Sequence, residues 1–218
     1  MIYSSCIDNV ASLVLDTSVL INLHASGVGG DIIAALPHDI LVPQVAADEL
    51  QRERTKETGQ QLFIQRLVGT HKARLIEMDE REQMLFSRLV SGSPSLGDGE
   101  AATIAIGVSR DRLPIIDERK GRLLAQVHLA GNEPGWSLDL FLDPRVMATL
   151  GINEAVEALY LALRYGRMRI HKEHCDGVVK LIGYRRALEC NSLPGYKVRR
   201  GQWEVAVAAA SGQRCKSA

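Results

Sequence analysis

Short apolar runs that end in an acidic residue recur along the first half of the chain, and helical periodicity follows them. Ser12-Leu-Val-Leu-Asp16 is one such run, and Val19, Leu20, Ile21 and Leu23 behind it begin a helix. Ile40-Leu-Val42 predicts a second strand, stopped by Pro43, a residue suited to the first turn of the helix that then carries Val45, Glu49 and Leu50. Val45 and Glu49 share one face of that helix. Gln60 to Val68 reads as helix, Arg74 to Met78 as a third strand, and Asp79 to Leu89 as a charged helix with an apolar stripe at Met84, Leu85 and Leu89. The turn formers of Gly92-Ser-Pro-Ser-Leu-Gly-Asp-Gly99 lead into a small-residue helix with Glu100 in its first turn. Leu113-Pro-Ile-Ile-Asp117 is the fourth strand, followed by Glu118 and a helix from about Arg119 to Leu129. Strands alternating with helices predict an α/β fold in which a parallel sheet is covered on both faces.

Beyond Gly131 the pattern changes. Gly135 to Asp143 holds Trp136, Asp139 and Asp143, and the two acids are expected to face solvent or to cap a helix. Ile152 to Tyr165 predicts an amphipathic helix with Ile152, Val156, Leu159 and Leu163 on its apolar stripe. After Gly166 the chain is basic and helical in character, and its composition marks the tail from Ala206 to Ala218 as disordered. The division that follows is a main unit over 10–150 and an extension over 151–218.

Composition adds two things. With 46% hydrophobic and 24% charged residues the chain fits a soluble globular protein able to bury a core. Its formal net charge is zero, so global charge indicates no polyanionic partner, yet from Arg164 to Arg200 there are ten basic residues against three acids, a local net of +7. The first ten residues lack the basic start and apolar run of a secretory signal, no run is long enough to span a bilayer, and a cytoplasmic location is expected. Cys6, Cys175, Cys190 and Cys215 are scattered without a C-x-x-C pair, which argues for reduced thiols rather than a disulfide framework.

The acids carry the chemistry. In a parallel sheet, ligands gather where strands end and helices begin, so Asp16 and Asp117 are expected to project towards one crevice, with Glu49 and Glu100 closing it. Any one acid at a strand end serves equally well as a helix N-cap; four in matching contexts point beyond capping. Carboxylates packed that closely repel unless a cation neutralises them, and an all-oxygen site without His or Cys suits Mg²⁺ or Mn²⁺ rather than zinc. Such a site activates water and stabilises an in-line displacement, the chemistry of phosphodiester cleavage. Thr17 and Ser18 supply hydroxyls that can orient the carboxylates. Glu118 and Asp98 are outer candidates: one reads equally as an exposed first-turn acid, the other as a turn residue between glycines.

Four segments in this order, Val14-Leu-Asp-Thr-Ser-Val-Leu-Ile-Asn-Leu23, Val42-Pro-Gln-Val-Ala-Ala-Asp-Glu49, Leu96-Gly-Asp-Gly-Glu-Ala101 and Ile115-Ile-Asp-Glu-Arg-Lys-Gly-Arg-Leu-Leu-Ala125, resemble a PIN-domain protein of the kind found among VapC-like toxin ribonucleases. The resemblance covers roughly residues 12 to 130. It implies a three-layer α/β/α domain and a metal-dependent RNA endonuclease in which Asp16, Glu49, Glu100 and Asp117 bind the metal and Asn22 or Thr17 lends polar support. The fourth segment departs from the pattern, reading Ile-Asp-Glu where a polar residue followed by Asp is commoner, so either Asp117 or Glu118 is the fourth ligand. An antitoxin protein and self-association are the partners the resemblance implies. The segment after about residue 150 is longer than in the small toxins.

That segment contributes a second set of candidates. Arg185, Arg186, Arg199 and Arg200, with Arg119, Lys120 and Arg122 behind the fourth strand, are candidate contacts to RNA phosphates, and Tyr165, Tyr184, Tyr196 and Trp203 are rings on which unpaired bases can stack. A solvated basic surface that balances the acidic front half is the competing reading. His171-Lys-Glu-His174-Cys175 with Cys190 invites a structural zinc, but adjacent His174 and Cys175 are awkward ligands for one ion. His24, His38, His71 and His128 are isolated. An aspartyl-phosphate phosphatase would also begin with Asp then Thr at a strand end, but needs an acid two positions after the first, where this chain has Ser18. A non-catalytic nucleic-acid-binding or partner-binding scaffold is the alternative outside enzymology.

Overall fold

The apolar runs pair as four parallel strands in the order β3-β2-β1-β4, where β1 is Ser12–Leu15, β2 Asp39–Pro43, β3 Arg74–Ile76 and β4 Leu113–Ile115. This computed structural model describes residues 7–8, 10–52 and 58–214. Leu13 faces Ile40 on one side and Leu113 on the other, and Leu15 faces Ile115. Strand side chains alternate between the two faces, and the packing follows that period. Leu13, Leu15, Ile40 and Val42 join the larger hydrophobic cluster, whereas Val14 and Leu41 pack on the opposite side with Ile106.

Every crossover between strands is helical, as parallel pairing requires. Helices α1 (Thr17–Ala25) and α2 (Gly29–Ala35) join β1 to β2, and α3 (Gln44–Arg52) and α4 (Thr58–Gly69) join β2 to β3. Next come α5 (Glu80–Ser91) and α6 (Asp98–Ser109) before β4, then α7 (Arg119–His128). Helix α6, rich in small residues, lies against β1, β2 and β4 and is almost wholly buried. The sheet is thus flanked by helices on both faces, the α/β/α arrangement expected from the alternation of elements.

After α7 the chain forms α8 (Ser137–Phe141), α9 (Pro144–Leu150), α10 (Ile152–Arg164), a single 3-10 turn (Lys172–His174), α11 (Cys175–Ile182), α12 (Tyr184–Ala187) and α13 (Tyr196–Arg214). Helix α10 packs on α1, and one continuous cluster runs from Leu13 and Leu23 through Leu159, Leu163 and Val178 to Trp203. The buried face of α10 is Ala155, Ala158, Leu159, Tyr160, Ala162 and Leu163, so Ile152, expected on the apolar stripe, instead stands 69% exposed at the helix start. The stretch from Ala206, marked as disordered by its composition, continues as helix as far as Arg214. The last four residues lie outside the described ones, as does Cys6. Cys175 and Cys190 are buried free thiols, and burial pushes Cys190 up to about 12, so it stays protonated and unreactive. Among the described residues no single helix is long and apolar enough to cross a membrane.

Strand order places the candidate acids. The chain builds β1, β2 and β3 outwards in one direction, then crosses back to lay β4 on the other side of β1. Connections therefore leave β1 and β4 in opposite directions, which opens a crevice at their carboxyl ends. Asp16 follows β1 directly and Asp117 lies two residues beyond β4.

Candidate active site

Asp16 is the N-cap of α1, with extended backbone, and its Oδ2 accepts from the Ser18 hydroxyl at 2.6 Å and the Ser18 amide at 3.3 Å. The capping reading is therefore correct for this acid, and it does not exhaust its role, because only Oδ2 is engaged in those contacts. Asp16 is buried, and burial, opposed by Ser18 and reinforced by the nearby charge of Asp117, raises its pKa to about 6.

Asp117 is held from two directions. Ser137, at the start of α8, donates its amide to Oδ1 at 2.7 Å and its hydroxyl to Oδ2 at 2.6 Å, and Asn22 of α1 donates its side-chain amide to Oδ2 at 2.6 Å. Burial nevertheless raises Asp117 to about 6, against those hydrogen bonds and the charge of Arg122. Its neighbour Glu118 is half exposed and forms an ion pair with Arg169 at 3.1 Å. Asp117 therefore lines the interior of the crevice, while Glu118 sits at its edge.

Glu49 and Glu100 approach from α3 and α6. Thr17 donates its hydroxyl to Glu49 Oε2 at 2.7 Å. The first turn of α6 comes so close to these groups that position 99 tolerates only glycine. A Cβ there would lie 2.2 Å from Thr17 Oγ1, 2.7 Å from Glu49 Oε2 and 3.1 Å from Asp16 Oδ1, so oxygens from three side chains surround one small volume. Glu100, the next residue, has a buried Oε1 with no hydrogen-bond partner. Burial and the charges of Asp16 and Glu118 raise Glu100 to about 7. A Cβ on Gly121 of α7 would come within 2.6 Å of that same oxygen, so helices α6 and α7 both need a bare backbone here.

The donors are all oxygen, one of them is buried and unpartnered, and among the described residues Asp16, Glu49, Glu100 and Asp117 have no ion-pair partner. This set fits a hard divalent cation. Among the described residues no three acidic, imidazole or thiol side chains stand close enough together to hold a metal ion. Asp98 opens α6 and is exposed. Asn22 keeps a second buried atom, Oδ1, without a partner.

The residues that sequence reasoning missed are Ser137, Gly99 and Gly121. Ser137 follows Trp136 at a helix start, which marks a helix terminus and nothing more; its contact with Asp117 depends on the return of the chain at Gly135, whose amide and carbonyl bond to Pro114 and Ile116. Of the two readings for Asp139 and Asp143, capping holds and solvent exposure does not: both are buried, Asp139 accepts from the Trp136 amide at the start of α8, and Asp143 caps α9 and pairs with Arg145.

The basic candidates are mostly engaged. Arg186, Arg199 and Arg200 pair with Glu157, Asp176 and Glu204. Arg122 donates to the carbonyls of Ile116 and Gly135 and lies over the Trp136 ring. Trp203, expected as a stacking platform, is buried in the core with Tyr196 packed edge-on against it, because α13 uses that ring to anchor itself. Tyr165 and Tyr184 are exposed. Arg119 and Arg185 are exposed, and Lys120 is partly so.

Comparison with known proteins gives one positive finding. A family model described as a PIN domain matches residues 12–130, the stretch from β1 through α7. No curated protein and no solved structure matches the chain significantly.

Proposed function

The chain belongs to the PIN-domain family, in general a nuclease fold that uses divalent metals, and on that premise we propose that it is a divalent-metal-dependent endoribonuclease. The substrate is single-stranded or structured RNA and the cation Mg²⁺ or Mn²⁺. What supports this reading is the position of Asp16 and Asp117 just beyond the adjacent strands β1 and β4, with Glu100 of α6 near enough to Asp16 to feel its charge and its Oε1 buried and unpartnered.

Asp16, Glu49, Glu100 and Asp117 would hold the cation, with Glu118 at the margin. When bound there, it supplies the Lewis acidity and charge neutralisation that an in-line displacement at phosphorus requires. The side chains around it do the positioning. Ser18 fixes Asp16, Thr17 fixes Glu49, and Asn22 with Ser137 fixes Asp117, so three carboxylates are oriented before substrate arrives. Glu100 lacks such a donor on Oε1, which leaves that oxygen for the cation. Buried surroundings keep bulk water from screening these charges. Water is the nucleophile and no covalent enzyme intermediate forms.

The resemblance to toxin ribonucleases adds an antitoxin protein and self-association as partners, in the cytoplasm, where the buried free thiols Cys175 and Cys190 would stay reduced. Cleavage of a mixed single-stranded RNA pool with Mn²⁺, Mg²⁺ or a chelator tests the reading. Native protein cleaves only with a cation, and Asp16→Asn, which preserves the N-cap, loses at least about 100-fold. Equal product in every lane ends the nuclease reading in favour of a scaffold.

A further inference from the structure

Beside the acids, and lined in part by Asp117 itself, lies a cavity of about 580 Å³. One wall is α7, with Arg119 and Arg122; the other is the segment after α10, with Arg169, His171 and Lys172; Trp136 backs it. That second wall lies outside residues 12–130, so this chamber is closed by the chain's own extension against the matched domain.

We propose that this cavity seats one unpaired nucleotide of the RNA strand next to the phosphodiester to be cut, so that the segment following α10 sets substrate choice. The proposal rests on the nuclease reading and deepens it. The volume is that of a small-ligand pocket, in the range of roughly 300 to 1,000 Å³. Its groups divide by chemistry. Arg122 and Arg169 are engaged, the first with backbone carbonyls and Trp136, the second with Glu118, and they build the walls. Arg119 and Lys172 have no carboxylate at ion-pair distance among the described residues, so these two cations from opposite walls are left for a phosphate. His171 is largely exposed and stands edge-on to Trp136, with ring centroids 6.5 Å apart, giving a flat surface for a base. Glu133 adds an acceptor, which a plain phosphate site would exclude and which the N–H edge of a base can use, while Glu173 Oε1 lies 3.2 Å from His171 Nδ1 and 3.5 Å from His174 Nε2 and steadies those rings.

Binding is measured without catalysis, on the full chain in chelator, with a labelled short single-stranded RNA, ribonucleoside monophosphates and inorganic phosphate as probes. The strand and at least one monophosphate bind; Lys172→Glu weakens both at least tenfold and His171→Ala at least threefold. Lys180→Glu, which reverses an exposed charge in the same basic region but outside the cavity, changes binding less than twofold. Equal losses in Lys172→Glu and Lys180→Glu mean diffuse attraction and overturn the proposal. So does inorganic phosphate competing as well as a nucleotide, or no nucleotide binding at all. The two readings fail separately: cleavage of RNA without this binding pattern removes the cavity proposal alone, and the binding pattern without cleavage removes the nuclease reading alone.

Discussion

The side-chain amide of Asn22 donates to Asp117 Oδ2 at 2.6 Å, tying the middle of α1 to the end of β4 across 95 positions of sequence. With the two donors of Ser137 this leaves the Asp117 carboxylate a single orientation. Removing one such donor from a ligating carboxylate costs about 10- to 100-fold in activity or metal affinity. We expect Asn22→Ala to lower RNA cleavage by that factor while circular dichroism stays native. Asn22→Asp should be worse, since it sets a second negative charge at hydrogen-bond distance from Asp117. Full activity in Asn22→Ala would exclude Asp117 from the working site.

Asp16 and Asp117 titrate near 6 and Glu100 near 7, all raised chiefly by burial. A carboxyl whose pKa rises on folding favours the folded state when protonated. Its contribution is complete below the unfolded value near 4 and is lost as pH rises through 6 to 7. The cation-free chain should therefore lose stability between about pH 4 and about pH 7, with Asp16 contributing up to about 3 kcal/mol. Urea melts across that range check it. Asp16→Asn should flatten the slope, and an identical slope in the variant would mean that Asp16 titrates normally.

Gly99 and Gly201 make opposite expectations from the same substitution. An alanine Cβ at Gly99 would collide with Thr17 Oγ1 at 2.2 Å and Glu49 Oε2 at 2.7 Å, whereas at Gly201 it would meet nothing within 4 Å. Alanine gains about 1 kcal/mol of helix propensity over glycine in either helix. Gly201→Ala should keep most of that gain. Gly99→Ala should instead lose about 1 to 3 kcal/mol, because α6 must move off α1 and α3, and cleavage should fall further than stability does. Denaturant midpoints and initial rates on both variants test the contrast.

How far the sequence speaks is set by the range of the interactions involved. Strands buried on both faces must be apolar throughout, so Ser12–Leu15, Asp39–Pro43 and Leu113–Ile115 are legible as runs, and the acids are legible because each falls where a run stops. Helices α2, α8 and α9 are too short to show a period, and glycines open α2. Trp203 looked like a binding ring because its burial depends on where α13 docks, which no local pattern encodes. Arg186 and Arg199 pair with Glu157 and Asp176, 29 and 23 positions away, which no local pattern encodes, whereas Arg200 pairs with Glu204 one helical turn on; a +7 stretch of sequence is not a +7 surface. Ser137 escapes for a related reason: its hydroxyl meets Asp117 only because the chain returns past Pro114 at Gly135.

Glu100 offers the sharpest test of whether this crevice takes a cation, because its Oε1 is buried without a donor while Asp16 and Glu118 act on it with like charge. A ligand that binds only the folded chain raises stability by about 2.7 kcal/mol at 100 times its dissociation constant. Relief of carboxylate repulsion is part of a cation's affinity here, so its dissociation constant falls and its effect grows between about pH 5 and about pH 8 as the carboxyls ionise. Mn²⁺ or Mg²⁺ added to chelated protein should raise the melting temperature, and chelator should reverse it. Glu100→Gln keeps the shape and removes the charge. It should melt higher than the native chain in chelator and gain much less from the cation. An equal gain in both proteins would place the binding elsewhere, and no gain in the native chain would leave these carboxylates without the ion their burial calls for.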